Sequence, residues 1–174
     1  WDTLPVGTWQ ETNDWWNDDL SILITATSVA TGSDYSMDIC KVVLTDPTTL
    51  IRLTQTSGVG AEPGYWDEHA KISPDGAVVS YISSNPVEIV DEADLAAELW
   101  LMDADGSNQR QVTFFNTAGM PSYRGPGGWL CKEMSWDQSP PAGSIRLVMG
   151  VRHKSVGVTG TTVEIVTFVM PLRA

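Results

Sequence analysis

The chain has 174 residues, of which 42 % are hydrophobic and 18 % charged, a balance typical of globular proteins that excludes global disorder. Its formal net charge of −12 excludes nucleic acid and anionic membrane surfaces as partners, because binding to phosphate requires clustered lysine and arginine. No apolar run approaches the ~20 residues needed to cross a bilayer, so we predict a chain that is not itself membrane-spanning.

The charge is unevenly distributed along the chain. Residues 1–57 carry eight acidic and two basic residues, residues 58–117 eleven and two, and residues 118–174 three and six. The last third is therefore net positive, whereas the rest is net negative. Two interpretations remain open: the charges solvate loops, or the last third docks on an acidic surface.

The first sixteen residues are rich in tryptophan and show no helical period. Trp9, Trp15 and Trp16 are candidates for a binding platform, because exposed aromatic side chains often form one. The alternative, which we favour, is that these large side chains wedge between neighbouring sheets. Since the sequence begins at Trp1 without a signal peptide, we expect a mature product, a processed piece or a segment of a longer protein.

Two Asp-Gly turns dominate residues 66–113. The first turn is Ser-Pro-Asp-Gly at residues 73–76, and the second contains Asp-Gly at residues 105–106. Both lie between runs of alternating or β-branched residues, a pattern that predicts β-hairpins. Three hairpin-linked strands and a short fourth strand thus form one small antiparallel sheet.

The same unit recurs before and after this segment. Asp19 corresponds to Asp75, an offset of 56 residues, and Thr54 corresponds to Thr113, an offset of 59. The alignment pairs a strand at 21–26 with 77–82 and a strand at 39–44 with 98–103. A degenerate third copy has strands at 145–151 and 162–170 and lacks the closing Leu-Thr strand. A recurring period with insertions confined to one loop indicates a repeat architecture.

The repeat of Ser-Pro-Asp-Gly, a strand, Leu-Trp-Leu-Met-Asp, an Asp-Gly turn and a final Val-Thr resembles that of TolB-like β-propellers. This resemblance implies an all-β fold of antiparallel four-stranded blades, about three of them, in a partial or open propeller. The predicted blades are residues 1–57, 58–117 and 118–174, which form one domain or part of a larger propeller. Three blades cannot close a ring, so we expect other protein subunits to cover the open sides.

The cysteines and oxygen-rich turns predict structural roles. Cys40 and Cys131 lie in no metal or redox motif and fall two predicted blades apart, so we predict two buried free thiols. Asp103, Asp105 and Asn108 resemble part of a calcium loop, but the distal bidentate glutamate is missing, and the resemblance implies a plain turn.

No residue pattern predicts catalysis. The sequence has no Gly-x-Ser-x-Gly motif and no glycine-rich phosphate loop before a helix. On a regular strand Asp67 and His69 share one face while Glu68 points to the other, which separates the imidazole from Glu68. The resemblance implies a structural hydrogen-bond network here. We therefore predict no catalytic, cofactor-binding or metal-binding residue, and no cofactor.

The best candidates for partner contacts are charged residues in two loops. The insertion at residues 85–97 is acidic, and the connection at residues 121–128 is rich in proline and glycine. Loops at blade ends form the recognition surfaces of propellers, so the candidate partner-binding residues are Glu88, Asp91, Glu92, Asp94 and Arg124.

The function predicted from these features is a non-catalytic protein-binding or scaffold subunit. The resemblance implies a bacterial periplasmic or extracellular location and an accessory role in a membrane-associated assembly, for example a respiratory or photosynthetic complex. The alternative is the propeller portion of a peptidase, hydrolase or other enzyme whose catalytic domain is not in this chain. A Gly-x-Ser-x-Gly domain in further sequence would favour that alternative.

Overall fold

The fold was analysed in a computed structural model, which describes residues 10–27, 37–55, 65–85, 96–125, 128–141, 144–153 and 162–171. Every regular element in these ranges is a β-strand. The strands are β1 (Gln10–Trp15), β2 (Ser21–Ala26), β3 (Asp38–Val43), β4 (Asp46–Arg52), β5 (Asp67–Ile72), β6 (Val78–Ser83), β7 (Glu98–Asp103), β8 (Arg110–Gln111), β9 (Trp129–Trp136), β10 (Ser144–His153) and β11 (Thr162–Pro171). Over the same ranges, no helix has the length and apolar character needed to cross a membrane.

The strands form three antiparallel sheets that follow one another along the chain. Their orders are β1-β2-β3-β4, β5-β6-β7-β8 and β9-β10-β11, so each strand pairs with its neighbour in sequence. The predictions of an all-β fold and of antiparallel four-stranded sheets are confirmed. Within the described ranges the third sheet has three strands.

The Ser-Pro-Asp-Gly turn between β5 and β6 is held by its own side chains. Ser73 Oγ accepts a hydrogen bond from Val78 N at 3.0 Å and donates to Asp75 Oδ1 at 2.5 Å. The same Asp75 oxygen accepts from Ala77 N at 3.1 Å. Gly76 has a φ of 73°, in the left-handed region that glycine enters without a steric penalty. The four-residue motif therefore specifies this turn locally.

The first hairpin repeats this turn one residue earlier than the aspartate-to-aspartate alignment predicts. Asp18 Oδ1 accepts a hydrogen bond from Leu20 N at 2.8 Å, which is the role that Asp75 has for Ala77 N. Asp19 has a left-handed φ of 54°, and it therefore takes the place of Gly76 in the Ser-Pro-Asp-Gly turn. The offset is 57 residues, so the predicted 56 is wrong. Aspartate tolerates this conformation better than most residues, and the turn forms without glycine.

The closing threonines show that the end of the repeat was aligned correctly. Thr54 Oγ1 accepts the N–H of Ile39 at 2.9 Å, and Thr113 Oγ1 accepts the N–H of Leu99 at 2.8 Å. Both threonines are buried. Their offset is 59 as predicted, but Ile39 and Leu99 are 60 apart, so the predicted offset of 59 for the third strands is also wrong by one. A slip of one residue reverses the face on which every strand side chain lies.

Two equivalent junctions join the sheets. Met37, just before β3, forms a parallel bridge with Trp66, just before β5. Ala97, just before β7, forms a parallel bridge with Leu130 in β9. In addition, β5 lies against β1, β2 and β3, and β9 lies against β5 and β7. The first strand of the second sheet and the first strand of the third sheet thus attach these sheets to the sheet that precedes them.

Apolar side chains fill the spaces between consecutive sheets. Between the first and second sheets, Leu23 and Ile39 pack with Val79 and Tyr81. A second cluster joins the second and third sheets; its buried residues are Val78, Ile82, Ala97, Leu99, Leu101, Phe115, Trp129, Leu130, Cys131, Met134, Trp136, Leu147, Met149 and Val151. Burial of each large side chain contributes about 1.5–3 kcal/mol to folding.

The structure separates the three N-terminal tryptophans that the sequence groups together. Trp16 is only 8 % exposed, packs in the cluster between the first two sheets, and carries Lys41 Nζ 3.8 Å from its ring centroid. Trp15 is 60 % exposed. Trp9 lies outside the described residues. The predicted wedge between sheets is therefore confirmed for Trp16, whereas Trp15 remains accessible.

Both cysteines are buried free thiols, as predicted. Burial raises the pKa of Cys40 to about 12, and it raises the pKa of Cys131 to about 12 as well. A thiol is nucleophilic only as the thiolate, and burial disfavours the thiolate form of both groups.

Candidate functional site

The first strands of the three sheets lie side by side, with β5 in the middle. Asn13 Oδ1 and Asp14 Oδ2 of β1 accept the N–H groups of Ala70 and Ile72, each at 3.1 Å. From the opposite side, the indole N–H of Trp136 donates to a β5 carbonyl 3.1 Å away. Polar groups on the free edge of β5 are thus satisfied by side chains from both neighbouring sheets.

The separation of Glu68 from His69 that strand alternation predicts is wrong. The pairing of β5 with β6 shifts between Glu68 and Lys71, and His69 has a φ of 55°. Such a bulge interrupts the alternation of side chains and redirects them. As a result His69 Nε2 lies 3.3 Å from Glu68 Oε2, while His69 Nδ1 lies 3.3 Å from Glu133 Oε1 on β9.

The bulge therefore assembles a charged cluster of Glu68, His69 and Glu133 from two sheets. Burial raises the pKa of Glu68 above its ordinary value of 4.5, and the charge of His69 opposes this rise. Trp66 Nε1 also opposes it by donating a hydrogen bond to Glu68 Oε2 at 2.8 Å. Among the residues that the structure describes, no three His, Cys, Asp or Glu side chains form a group suited to a metal ion.

We expect the Glu68→Gln substitution to alter the pH dependence of stability. A carboxyl group whose pKa is higher in the folded state contributes its stability below the unfolded pKa, near 4.5, and loses it as the pH rises through the folded value. Glutamine does not titrate and retains an oxygen for Trp66. The variant minus wild-type difference in unfolding free energy, measured by urea denaturation, should therefore become more favourable to the variant from pH 4 to pH 8.

The Glu133→Gln variant is the matched control, because its side chain also contacts His69 but is 76 % exposed. Its difference from wild type should change little over the same pH range, since solvent screens exposed charges. A pH-independent difference for Glu68→Gln would contradict the assigned rise in pKa.

The oxygens of the second Asp-Gly turn are occupied in hydrogen bonds within the turn. Asp105 Oδ1 accepts from the N–H and the hydroxyl of Ser107 at 2.9 and 2.6 Å, and these bonds lower the pKa of Asp105. Asp103 Oδ2 accepts from Asn108 Nδ2 at 2.5 Å. The carboxylates therefore serve as turn acceptors.

Of the five candidate partner-binding residues, only Arg124 lies in the described part of the chain. Its guanidinium carbon is 4.7 Å from the ring centroid of Phe115 and 5.3 Å from that of Trp129, which places the side chain at the boundary between the second and third sheets. The other four, Glu88, Asp91, Glu92 and Asp94, lie outside the described residues. A role in partner binding stays a prediction for all five.

The third sheet has one face that is partly exposed along β10 and β9. Along β10 burial alternates: Leu147, Met149 and Val151 are buried against the second sheet, whereas Val148 is 38 % exposed and Arg152 is also exposed. Arg146 and Ser135 lie beside Val148 on that side, Ser135 as its direct partner on β9. We call Ser135, Arg146, Val148 and Arg152 the open face.

The equivalent positions in the other two sheets are buried. Equivalence is defined by one backbone hydrogen bond that closes each first hairpin: Trp16 N to Ser21 O, Ser73 N to Val78 O, and Asp137 N to Arg146 O. Two residues after each acceptor stand Leu23, Ser80 and Val148. Leu23 and Ser80 have no exposed surface. The face that the following sheet covers in the first two sheets is therefore accessible in the third.

A cleft of about 380 Å³ lies where the first hairpins of all three sheets turn. We call it the first-turn cleft; its lining residues are Asp14, Trp15, Asn17, Ile72, Pro74 and Gln138. The three sheets contribute to it at comparable places, the end of β1, the end of β5 and the turn after β9. It forms only because the first strands lie side by side.

A scan against protein-family models finds no match to this chain, and a search of curated proteins finds none either. The candidate sites therefore depend on geometry alone. The sequence did not reveal the open face or the first-turn cleft; the only signal was the cluster of tryptophans that includes Trp15.

Proposed function

We propose that this chain is a non-catalytic protein-binding module and that its three sheets are consecutive blades of a TolB-like β-propeller. The observation that carries the proposal is the open face. A surface that is buried by the following sheet at Leu23 and Ser80 is accessible at Val148, which is what a module requires if another subunit completes its packing.

The repeated junctions support the blade interpretation. The bridge from Met37 to Trp66 and the bridge from Ala97 to Leu130 are the same contact made twice: each joins the residue before a third strand to the start of the next sheet's first strand. Repetition of one step between similar sheets is how propellers are built, with each blade packing only on its neighbours. A fourth sheet added by the same step would lie on the open face.

The chemistry of the open face favours an acidic partner with an apolar centre. Val148 is flanked by Arg146 and Arg152, although the chain as a whole has a net charge of −12. One of these arginines is partly neutralised, since Arg146 Nη1 lies 3.5 Å from Asp137 Oδ2. Interfaces commonly combine an apolar core with a polar rim, and arginine is enriched in them.

The resemblance to TolB-like propellers supports the remaining part of the proposal, which is its context. We propose a periplasmic or extracellular location and an accessory role in a larger membrane-associated assembly. Other protein subunits are then the partners, and neither a cofactor nor nucleic acid takes part.

Site-specific photocrosslinking tests the proposal. A photoreactive amino acid at position 148 should yield one dominant adduct with another protein in cells that produce the full chain, and the yield should fall as salt weakens the arginine contacts. The matched control is position 51, because Ile51 is 42 % exposed but lies on the outer strand of the first sheet. Equal crosslinking at both positions, or none at position 148, would refute a binding role for the open face.

A further inference from the structure

On the basis of the binding role assigned to the open face, we propose that its partner is a second copy of this chain, which binds head to tail. The contact would join the open face of one copy to the first sheet of the next. The first sheet has three large apolar side chains that are exposed near its first turn, Trp15, Leu20 and Leu44. We call these three residues the rear patch.

Trp15 is exposed at a position that is buried in the other two sheets. The residue just before the donor of each hairpin-closing hydrogen bond is Trp15 in the first sheet, Ile72 in the second and Trp136 in the third. Ile72 and Trp136 are 6 % and 4 % exposed, whereas Trp15 is 60 % exposed. Ile72 packs in the cluster between the first and second sheets, and Trp136 packs in the cluster between the second and third. In both sheets this residue therefore fills the space towards the preceding sheet.

Strand pairing places Trp15 on the face of the first sheet that points away from the second sheet. Trp15 is the direct partner of Ile22, and directly opposed residues of an antiparallel pair have their side chains on the same face. The next residue, Leu23, packs against the second sheet, whereas Ile22 belongs to a separate cluster within the first sheet. Trp15 thus faces the side on which a preceding sheet would lie.

Leu20 and Leu44 extend the rear patch at the same end of the sheet. Leu44 N donates to the carbonyl of Leu20 at 2.7 Å, and in the second sheet Ala104 N donates to the carbonyl of Ala77 at 3.0 Å. Ala104 packs in the cluster between the first two sheets, so the equivalent Leu44 occupies a position that faces a preceding sheet. Leu20 and Leu44 are 54 % and 38 % exposed. Leucines are therefore accessible where the second sheet has alanines.

The contact between consecutive sheets already brings the equivalent positions together. Leu23 of the first sheet and Ile72 of the second belong to one packed cluster. Their equivalents are Val148 on the open face and Trp15 in the rear patch, which are 38 % and 60 % exposed. The same contact, made once more between two copies, would bury Trp15 of one copy against Val148 of the other.

Charge complementarity favours this partner. Arg152 lies on the open face, and residues 118–174 carry three acidic and six basic residues. The exposed Asp19 lies next to the rear patch, and residues 1–57 carry eight acidic and two basic residues. Opposite charges on two surfaces favour their association and fix its orientation. An acidic surface with an apolar centre, which the open face requires, is therefore present on the chain itself.

Sedimentation velocity of the full chain tests the inference. The sedimentation coefficient of the wild type should rise with concentration over about 1–100 μM, and high salt should weaken the association by screening the charges. Trp15→Glu and Val148→Glu should each weaken self-association about tenfold or more, because each places a carboxylate at the apolar centre of the contact.

An equimolar mixture of these two variants distinguishes a head-to-tail contact from a symmetric one. Trp15→Glu retains an intact open face and Val148→Glu retains an intact rear patch, so the mixture should form a heterodimer although neither variant associates alone. If Trp15→Glu associates as strongly as the wild type, the open face binds something other than the rear patch and the inference is wrong.

Ile51→Glu is the matched control, because Ile51 is an exposed apolar residue of the first sheet that lies outside the rear patch. It should associate like the wild type, and circular dichroism should confirm that each variant is folded. A wild type that stays monomeric over the whole range, or a mixture that does not associate, would overturn the choice of partner. The binding role of the open face would survive that result if position 148 still crosslinks to a different protein, and it would fail as well if position 148 crosslinks to none.

Discussion

Replacement of Gly106 by alanine is expected to destabilise the protein by about 2–4 kcal/mol, because it combines backbone strain with a clash. Gly106 has a φ of 87°, and an added Cβ would lie 2.7 Å from the carbonyl oxygen of Leu53 and 3.0 Å from its Cα. These are backbone atoms of the neighbouring sheet and cannot rotate away. Gln109 Nε2, which donates to the same Leu53 oxygen at 3.0 Å, would be displaced as well. The second Asp-Gly turn would then separate from the first sheet.

Gly119→Ala is the matched control, because Gly119 has the same φ of 87° and an added Cβ there would meet no atom within 4 Å. Only the conformational cost should remain, about 1 kcal/mol. Urea denaturation measures both variants through the midpoint and the slope. If the two alanines cost the same, the contact between the turn and Leu53 has been assigned wrongly.

Replacement of Asn116 by alanine is expected to cost about 3 kcal/mol, because it breaks a partly buried network of hydrogen bonds between the second and third sheets. The backbone N–H and side-chain amide of Asn116 donate to Glu98 Oε1 at 2.7 and 2.9 Å. The same side chain accepts from the N–H of Trp129 at 2.6 Å and donates to its carbonyl at 2.8 Å. Alanine leaves the buried Glu98 carboxylate and both Trp129 groups with fewer partners.

Two further variants test this network. Asn116→Asp retains an acceptor for Trp129 but loses the amide donors and places a second carboxylate beside Glu98, so it should cost at least as much as alanine. Asn17→Ala also removes a contact between sheets, but at a partly exposed position, and should cost about 1 kcal/mol. If thermal and urea unfolding show equal losses of stability for Asn17→Ala and Asn116→Ala, the Asn116 network does not contribute the predicted stabilisation.

The strands and turns of this protein were predictable because their signals are local. The patterns of Val78–Ser83 and Glu98–Asp103, together with the Ser-Pro-Asp-Gly turn that precedes Val78, predict the second sheet. The turn bonds of Ser73 and Asp75 are made within a few residues, so a short stretch of sequence is enough to specify them. The same reasoning predicted the buried free thiols.

Local signals were insufficient where the geometry depends on a neighbouring strand. The alignment of the first two sheets slipped by one residue because Asp19 adopts the left-handed conformation that Gly76 adopts in the Ser-Pro-Asp-Gly turn. The bulge at His69 reversed the expected side-chain directions, and it brings His69 to Glu133 of another sheet. Neither feature leaves a pattern in the short stretch of sequence around it.

The sequence alone therefore determined the all-β class, the hairpins and the succession of similar sheets, since hydrogen bonding and alternation act between residues close in the chain. Only the tertiary structure decided which surfaces are available. The exposure of Val148 and Trp15 depends on whether another sheet lies over them, and the first-turn cleft depends on three first strands meeting. Packing between segments more than 50 residues apart sets these properties, and no local pattern encodes them.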